Sequence, residues 1–235
     1  VNNASGWVFI GPGQFEAGLD INTEGFTVIG SGYDTHLDQE NLGGGSGNAV
    51  DVNAANVTIE GIRVSTEPGG TRTLSCFQLG TDSPNTIIRN CWADRSDQHG
   101  FYLKQCNNCK LINCRTIGEI DNDGINVDYS DPDGTGNVIS NCYLGAADEF
   151  AINIDADDNI VNGAITENTQ YGIVISGNDN VVGGNRVKNS AKDGILVSSN
   201  SVDNIVYNNR ISGSTDQDID NRGTGTVTDS NLTGN

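Results

Sequence analysis

The sequence has few positive charges and no methionine. Its 235 residues contain 12 Lys and Arg against 31 Asp and Glu, which gives a net charge of −19 at pH 7. Proteins that bind nucleic acid neutralise phosphates with Lys and Arg, so this balance excludes DNA and RNA as partners. The Asp and Glu residues are spread along the whole chain, which is typical of a halophilic or calcium-rich setting or of an ordinary acidic surface. The absence of Met, even at position 1, indicates a processed product or a fragment.

Long apolar segments are also absent. No apolar run approaches the roughly 18 residues of a membrane-spanning helix, and no basic amphipathic stretch occurs, so we predict no membrane insertion. Hydrophobic residues make up 35% of the chain, which is enough for a substantial core at this length. Gly, Asn, Asp and Ser interrupt the sequence at short intervals, and helical periodicity is almost missing. The composition therefore favours an all-β protein.

A triplet in which two apolar residues flank an outward-facing residue recurs along most of the chain. Its copies are separated by 21 to 27 residues, and each is followed by a second short strand such as Val57-Thr58-Ile59. The triplets begin at Val50, Phe77, Phe101, Ile125, Ile152, Ile173 and Ile195, and Ile219 opens a degenerate last copy. Two or three period-two strands per repeat are typical of a coil that stacks on its neighbours. We predict a single-stranded right-handed parallel β-helix of about eight to nine coils, each of about 24 residues.

Individual repeats resemble those of the pectin-lyase-like superfamily. The likeness is clearest in residues 172–176 and 180–187, and residues 8–13 and 28–32 resemble the first coils of pectin-modifying members. The resemblance implies one domain over 1–235, with N-terminal coils or a cap over 1–47, regular coils over 48–217 and a degenerate coil over 218–235. It also implies an extracellular, cell-surface or virion location. Lyases, hydrolases, epimerases, phage tailspikes and inert rods share this fold, so it does not select among their functions.

Six cysteines leave disulfides and buried thiols as alternatives. Alignment of the coils places Cys91, Cys114 and Cys142 in one column, which continues through Ala164, Asn185 and Asn209. Small inward groups stack at such a bend, so these three residues are predicted to be buried thiols without a bridge. Cys76 shares a column with glycines and is predicted to pack in the same way. For Cys106 and Cys109, which lie together in a corner, a local disulfide is the alternative.

Polar residues concentrate at the outward positions of the middle coils, where stacked strands form columns of side chains. Elimination or epimerisation at a uronic acid needs a base, an acid and a cation that neutralises the carboxylate. The residue types for this chemistry occur at His99, Tyr102, Lys104, Asp121 and Asp123, which are our catalytic candidates. We assign glycan contacts to Gln78, Arg95, Asn126 and Asn153. The alternative is that His99 and these Asp residues are solvated corner residues of an acidic protein.

Two enzyme families match parts of this pattern. Residues 94–101 resemble the His-Gly-Phe coil of mannuronan epimerases, although the fuller acidic and histidine motif of that family is not reproduced. Asp121 and Asp123 suggest the acid and base of polygalacturonase-like hydrolases. The Gly-His-Gly and Arg-Ile-Lys segments of those hydrolases do not occur in this sequence.

A second acidic cluster has the composition of a cation site. Oxygen ligands in a tight turn suit calcium, and residues 128–134 supply several of them, with a further carboxylate one coil on. The predicted ligands of a Ca²⁺ ion are Asp128, Asp131, Asp133 and Asp155.

Two functions remain in competition at the level of the sequence. The first is a rod on a virion or cell surface that binds a polysaccharide or cell-surface glycan through the outward polar residues and forms a homotrimer, as tailspikes do. The alternative is a polysaccharide lyase or epimerase that acts on an acidic polysaccharide. Because each enzyme family lacks part of its signature here, we rank the glycan-binding rod first.

Overall fold

Stacked coils build the described part of the chain. The structure, a computed structural model, describes residues 6–39, 48–66, 74–128, 134–145 and 147–234. Within these ranges the strands form three parallel sheets of ten, ten and nine strands. A regular coil contributes one strand to each sheet, so the chain is an all-β right-handed parallel β-helix of about nine turns. The predicted fold class is confirmed.

The three sheets are named here in the order in which the chain enters them. Sheet 1 consists of Trp7–Ile10, Thr27–Gly30, Thr58–Glu60, Ile87–Arg89, Lys110–Ile112, Val138–Ser140, Ile160–Asn162, Val181–Gly183, Ile205–Tyr207 and Val227–Asp229. Sheet 2 consists of Gly13–Phe15, Thr35–Asp38, Arg63–Ser65, Trp92–Ala93, Arg115–Thr116, Tyr143–Gly145, Ile165–Glu167, Arg186–Lys188, Arg210–Ser212 and Leu232–Gly234. Sheet 3 consists of Leu19–Ile21, Val50–Val52, Phe77–Leu79, Phe101–Lys104, Ile125–Asp128, Phe150–Ile154, Tyr171–Ile175, Ile195–Val197 and Ile219–Asn221. A single 3₁₀ turn, Gly32–Asp34, precedes the second strand of sheet 2.

The recurring triplets form sheet 3 in the register that their spacing predicts. Val50 pairs with Phe77, and the same alignment continues from coil to coil until Ile195 pairs with Ile219. The sheet also begins one coil earlier than the triplets indicate, because Leu19 pairs with Val50 across an interval of 31 residues. The sequence pattern misses this first strand because the coil that follows it is longer than the others.

Asparagine at left-handed corners lets the chain pass between sheets 1 and 2 in very few residues. Asn90, Asn113 and Asn141 occupy the same corner in successive coils, with φ of 53°, 53° and 55°. Asparagine adopts this conformation more readily than most other residues, because its short side chain bonds locally to the backbone. Glycine occupies the same corner at Gly61, Gly163 and Gly184, so the coil geometry accounts for part of the Asn and Gly content of the sequence.

Buried side chains from all three sheets fill the interior of the solenoid. All six cysteines are free thiols and lie in this interior, which confirms the prediction for Cys91, Cys114 and Cys142. Cys106 and Cys109 do not form the local disulfide that was the alternative. Farther along the cysteine column, Asn185 Nδ2 donates to Asn209 Oδ1 at 3.0 Å, so a buried amide ladder continues the stack.

No helix in the described ranges is long and apolar enough to cross a bilayer.

Candidate functional site

Sheet 3 presents two adjacent columns of polar side chains on its outer face. The first column contains Gln78, Tyr102, Asn126 and Asn153, which are paired from strand to strand. In the second column Lys104 pairs with Asp128, and Asp155 follows one coil on. Successive members of a column are about 4.8 Å apart, the spacing of neighbouring strands. We call this surface the sheet 3 patch and define it by Gln78, His99, Tyr102, Lys104, Asp123, Asn126, Asp128, Asn153 and Asp155.

His99 and Asp123 form a shielded pair at one edge of the sheet 3 patch. Nδ1 of His99 lies 3.2 Å from Oδ2 of Asp123, and the two residues are only 4% and 1% exposed. Asn126 Nδ2 donates to the same carboxylate oxygen at 2.6 Å. Nδ1 of His99 contacts only this carboxylate, without hydrogen-bond geometry, and the buried Oδ1 atom of Asn126 has no hydrogen-bond partner among the described residues. Buried polar atoms in this state are rare in proteins and point to a ligand or a bound water.

Tyr102 connects the two columns of the patch. Its ring lies 4.8 Å from the imidazole of His99, and its hydroxyl donates to Asp128 Oδ2 at 2.6 Å. Burial, together with the hydrogen bond to Asp128 and its charge, raises the pKa of Tyr102 well above the ordinary value. The phenol therefore keeps its proton at physiological pH, and that proton is held by Asp128.

The other sequence-predicted residues do not all reach this cluster. Lys104 is exposed beside Asp128, and Gln78 donates to Asp51 Oδ1 at 3.1 Å. Asp121 is a half-buried corner residue whose backbone N–H donates to Ser96.

Arg95 lies outside the sheet 3 patch. It follows the sheet 2 strand Trp92–Ala93 in a left-handed conformation with φ of 68°, and its positive charge acts on His36 of sheet 2. The structure therefore does not bring Arg95 to the column of Tyr102.

Asp51 is a member of the polar column that the sequence analysis does not select. It accepts hydrogen bonds from Asn48 at 2.8 Å and from Gln78, and burial raises its pKa. The signal for it is present in the sequence, because the triplet Val50-Asp51-Val52 places Asp51 at an outward position.

The predicted calcium ligands lie partly within the described residues. Asp128 and Asp155 occupy neighbouring positions of one column, and Asn153 Nδ2 donates to Asp155 Oδ2 at 2.9 Å. Burial raises the pKa of Asp155, and the negative charges of Asp128 and Asp123 act in the same direction. Asp131 and Asp133 lie outside the described residues.

The ligands that soft transition metals prefer are dispersed in this fold. His36 lies on sheet 2, where its Nε2 atom is 2.8 Å from Ser65 Oγ, whereas His99 lies at sheet 3. The cysteines are buried, and burial raises the pKa of the Cys76 and Cys91 thiols to about 12. Across the described ranges, no three His, Cys, Asp or Glu side chains are grouped to hold a metal ion.

Solved structures that are similar to this chain include a viral protein, a tailspike and a polysaccharide lyase. The ORF18 protein of Geobacillus virus E2 superposes with a TM-score of 0.67 at 13% identity, over 99% of this chain and 54% of that chain. The Dettilon tailspike protein superposes with a TM-score of 0.65 at 12% identity, over 97% of this chain and 55% of that chain. The alginate lyase from Paenibacillus sp. str. FPU-7 superposes with a TM-score of 0.63 at 11% identity, over 93% of this chain and 92% of that chain. The chain thus spans about half the length of the first and second of these proteins, and identities this low show the fold alone.

The sequence profile of one family extends over most of the chain. Residues 20–235 match the family described as periplasmic copper-binding protein (NosD), whereas no curated protein matches the chain. Copper(I) is held by thiolate and thioether sulfur and copper(II) by imidazole, but in the described ranges the two histidines lie on different sheets and the thiols are buried in the core, so these residues do not fit a copper ion. The match nevertheless covers all but the first coil of the solenoid, and the chain belongs to the NosD family of β-helix proteins.

Proposed function

We propose that the protein is a glycan-binding β-helix and that the sheet 3 patch is its binding surface. The observation that carries this proposal is the column of Gln78, Tyr102, Asn126 and Asn153, which repeats a hydrogen-bonding side chain at each coil. Amide groups both donate and accept hydrogen bonds, as sugar hydroxyls do. Asn126 lies in the middle of the column, between Tyr102 and Asn153.

The charge of sheet 3 favours an uncharged glycan over an acidic one. Its strands contain one cation, Lys104, against Asp20, Asp51, Asp128 and Asp220, so their net charge is −3 (1 − 4). A uronic acid on this surface meets carboxylates on four of the nine strands, and like charges within a Debye length of about 8 to 10 Å repel one another. A hydroxyl-rich neutral chain avoids this repulsion and uses the same carboxylates as hydrogen-bond acceptors.

The proposal includes a location outside the cytoplasm and a homotrimeric assembly. The family description names a periplasmic protein, and tailspikes are among the similar structures. Sheet 1 supports the assembly because its strands contain two cations and two carboxylates, a net charge of zero, and because a column of apolar residues lies on its outer face. The members of this column are Val138, Ile160, Val181, Ile205 and Val227. Sedimentation of the purified protein tests the trimer, and a monomer at all concentrations would contradict it.

Binding to a set of neutral and acidic oligosaccharides tests the proposed function. We expect Asn126→Ala and Lys104→Ala each to weaken retention of a neutral glycan by about tenfold, the effect of one lost hydrogen bond to a charged or well-placed polar group. Ser198→Ala is the matched control, because Ser198 belongs to the column of Lys104 but lies four coils away and outside the patch. Equal affinities of all three variants and the parent would contradict the sheet 3 site.

A second candidate function is supported by His99 and its neighbours. A buried imidazole next to a carboxylate and a neutral phenol supplies a base and an acid for lyase or epimerase chemistry. The net charge of sheet 3 weighs against this candidate, since only Lys104 is available to neutralise a uronate in the described part of the patch. Incubation with alginate and polygalacturonate, followed by the ultraviolet absorbance of unsaturated ends, tests for elimination. Sensitivity of that absorbance to Tyr102→Phe would favour the enzyme.

A further inference from the structure

Sheet 2 carries a row of arginines on an otherwise acidic molecule. Arg115, Arg186 and Arg210 belong to one outward column, in which Tyr143 and Ile165 lie between the first two arginines. The row from Arg115 to Arg210 spans four strand intervals, or about 19 Å. We call these five residues the sheet 2 row.

The strands of sheet 2 concentrate the scarce cations of the chain. They hold five of the 12 Lys and Arg residues and only two carboxylates, so their net charge is +3 (5 − 2), whereas that of the whole chain is −19. The cations are Arg63, Arg115, Arg186, Lys188 and Arg210, and the carboxylates are Asp38 and Glu167. Charges within about one Debye length dominate the local potential, so this face is locally positive.

The arginines of the row are not used to stabilise the fold. All three are exposed, and in the part of the chain that the structure describes none of them forms an ion pair, although carboxylates are abundant. Arg186 and Arg210 are directly paired across neighbouring strands, an arrangement in which like charges repel. In contrast, Arg63 is paired with Asp94, and Lys188 Nζ lies 3.7 Å from Glu167.

An open aromatic surface lies in the middle of the row. Tyr143 donates its hydroxyl to Glu167, and a shallow depression beside its ring is lined by Ile117 and Gly145. A Cβ atom at Gly145 would lie 3.6 Å from the ring edge of Tyr143, so glycine leaves this part of the ring accessible. An aromatic face between cations is suited to a sugar ring whose neighbours carry negative charge.

We propose that the sheet 2 row binds a linear anionic polysaccharide that runs along the solenoid axis. Carboxylate or sulfate groups of the polysaccharide pair with the guanidinium groups of Arg115, Arg186 and Arg210. Each guanidinium group can donate two hydrogen bonds to such an anion. A sugar ring between these groups packs over Tyr143. This site differs from the sheet 3 patch in its face and in the charge of its ligand, and it does not depend on the function proposed for that patch.

Binding of polygalacturonate and of dextran sulfate to the intact chain tests the proposal, with neutral dextran as the reference polymer. We expect the double variant Arg186→Gln, Arg210→Gln to bind both anionic polymers about a hundredfold more weakly, about tenfold for each charge-assisted contact. We also expect binding to the parent to be lost near 1 M salt, where the Debye length is about 3 Å. Melting curves establish that the variants are folded.

The matched control is the double variant Arg89→Gln, Lys110→Gln on sheet 1, which removes the same amount of charge from exposed positions. Equal weakening in the control and in the sheet 2 variant would overturn the proposal, because net charge and not the row would then be responsible. Equal binding of neutral dextran, or of double-stranded DNA, would also overturn it. Asn126→Ala leaves sheet 2 intact, so retention of polygalacturonate by that variant separates this proposal from the sheet 3 site.

Discussion

Nδ1 of His99 lies 3.2 Å from Oδ2 of Asp123, and solvent reaches neither side chain to any extent although both belong to the outer face of the solenoid. Outward residues of a β-helix contribute little to packing when they are solvated. This pair departs from that rule, because Asp123 also accepts a hydrogen bond from Asn126. The sheet 3 patch therefore has a rigid, partly structural edge, and substitutions at His99 or Asp123 test stability as well as function.

Replacement of Asp123 should destabilise the protein. Asp123→Ala leaves Asn126 Nδ2 buried without its acceptor, and we expect a loss of about 1 to 3 kcal/mol in the free energy of unfolding. Urea denaturation measures this change. Asp148→Ala at an exposed neighbouring position is the control and should change stability by less than about 0.5 kcal/mol. A comparable effect of the two substitutions would show that the hydrogen bond is not important for the fold.

Asp155 should make stability depend on pH. Burial raises its pKa in the folded state, so its ionisation opposes folding above that pKa, and the penalty disappears as the pH falls through it. We expect Asp155→Asn to raise the melting temperature at pH 7 and to lose this advantage in mildly acidic buffer. Asp158→Asn, at an exposed position in the same coil, is the control. An increase in the melting temperature of Asp155→Asn that is constant over the whole pH range would contradict this account.

If Asp128 and Asp155 share a cation, calcium should reverse the effect of Asp155→Asn on the melting temperature. In millimolar CaCl₂ the parent protein would gain melting temperature, because the ion binds the folded state and screens two neighbouring carboxylates. The melting temperature of the Asp155→Asn variant would rise less in the same buffer. Equal melting temperatures of the parent in calcium and in chelator buffer would count against the predicted cation site. The same comparison at low and high NaCl tests whether general screening of the acidic surface has any effect.

The cysteines should be unreactive in the native protein. Thiolate is the reactive form, and burial raises the pKa of Cys76 and Cys91 to about 12. All six thiols are also buried, so that a reagent cannot reach them in the folded state. We therefore expect a thiol reagent at pH 8 to modify none of the six cysteines within minutes under native conditions and all six in denaturant. Rapid native labelling of Cys91, Cys114 or Cys142 would contradict the coil register.

Much of the site's geometry follows from the repeat. Once the triplets are aligned, the pairing of Gln78, Tyr102 and Asn126 in one column is fixed, because parallel strands in a solenoid pair residue by residue. The environment of these residues does not follow from the repeat. The burial of Asp123 and the unpartnered atoms near it depend on how side chains from two coils meet at the edge of the patch.

Short strands explain what sequence reasoning could not find. Strands of sheet 2 such as Trp92–Ala93 contain two or three residues and therefore show no period of their own, so Arg115, Arg186 and Arg210 give no signal as a row. The sequence analysis assigns Arg95 to the glycan contacts by its residue type, but Arg95 follows a strand of sheet 2 and its charge acts on His36 of that sheet.

The coil, the register from Val50 onward and the buried thiol column could be predicted from the sequence, because apolar residues recur at a nearly constant spacing and small residues stand at the bends. The division of charge among the faces became visible only in the folded structure. Sheet 3 has a net charge of −3 and sheet 2 of +3, although acidic residues are spread evenly along the chain. The physical reason is that each coil distributes consecutive residues over three faces, so neighbours on one face are about 24 residues apart in sequence.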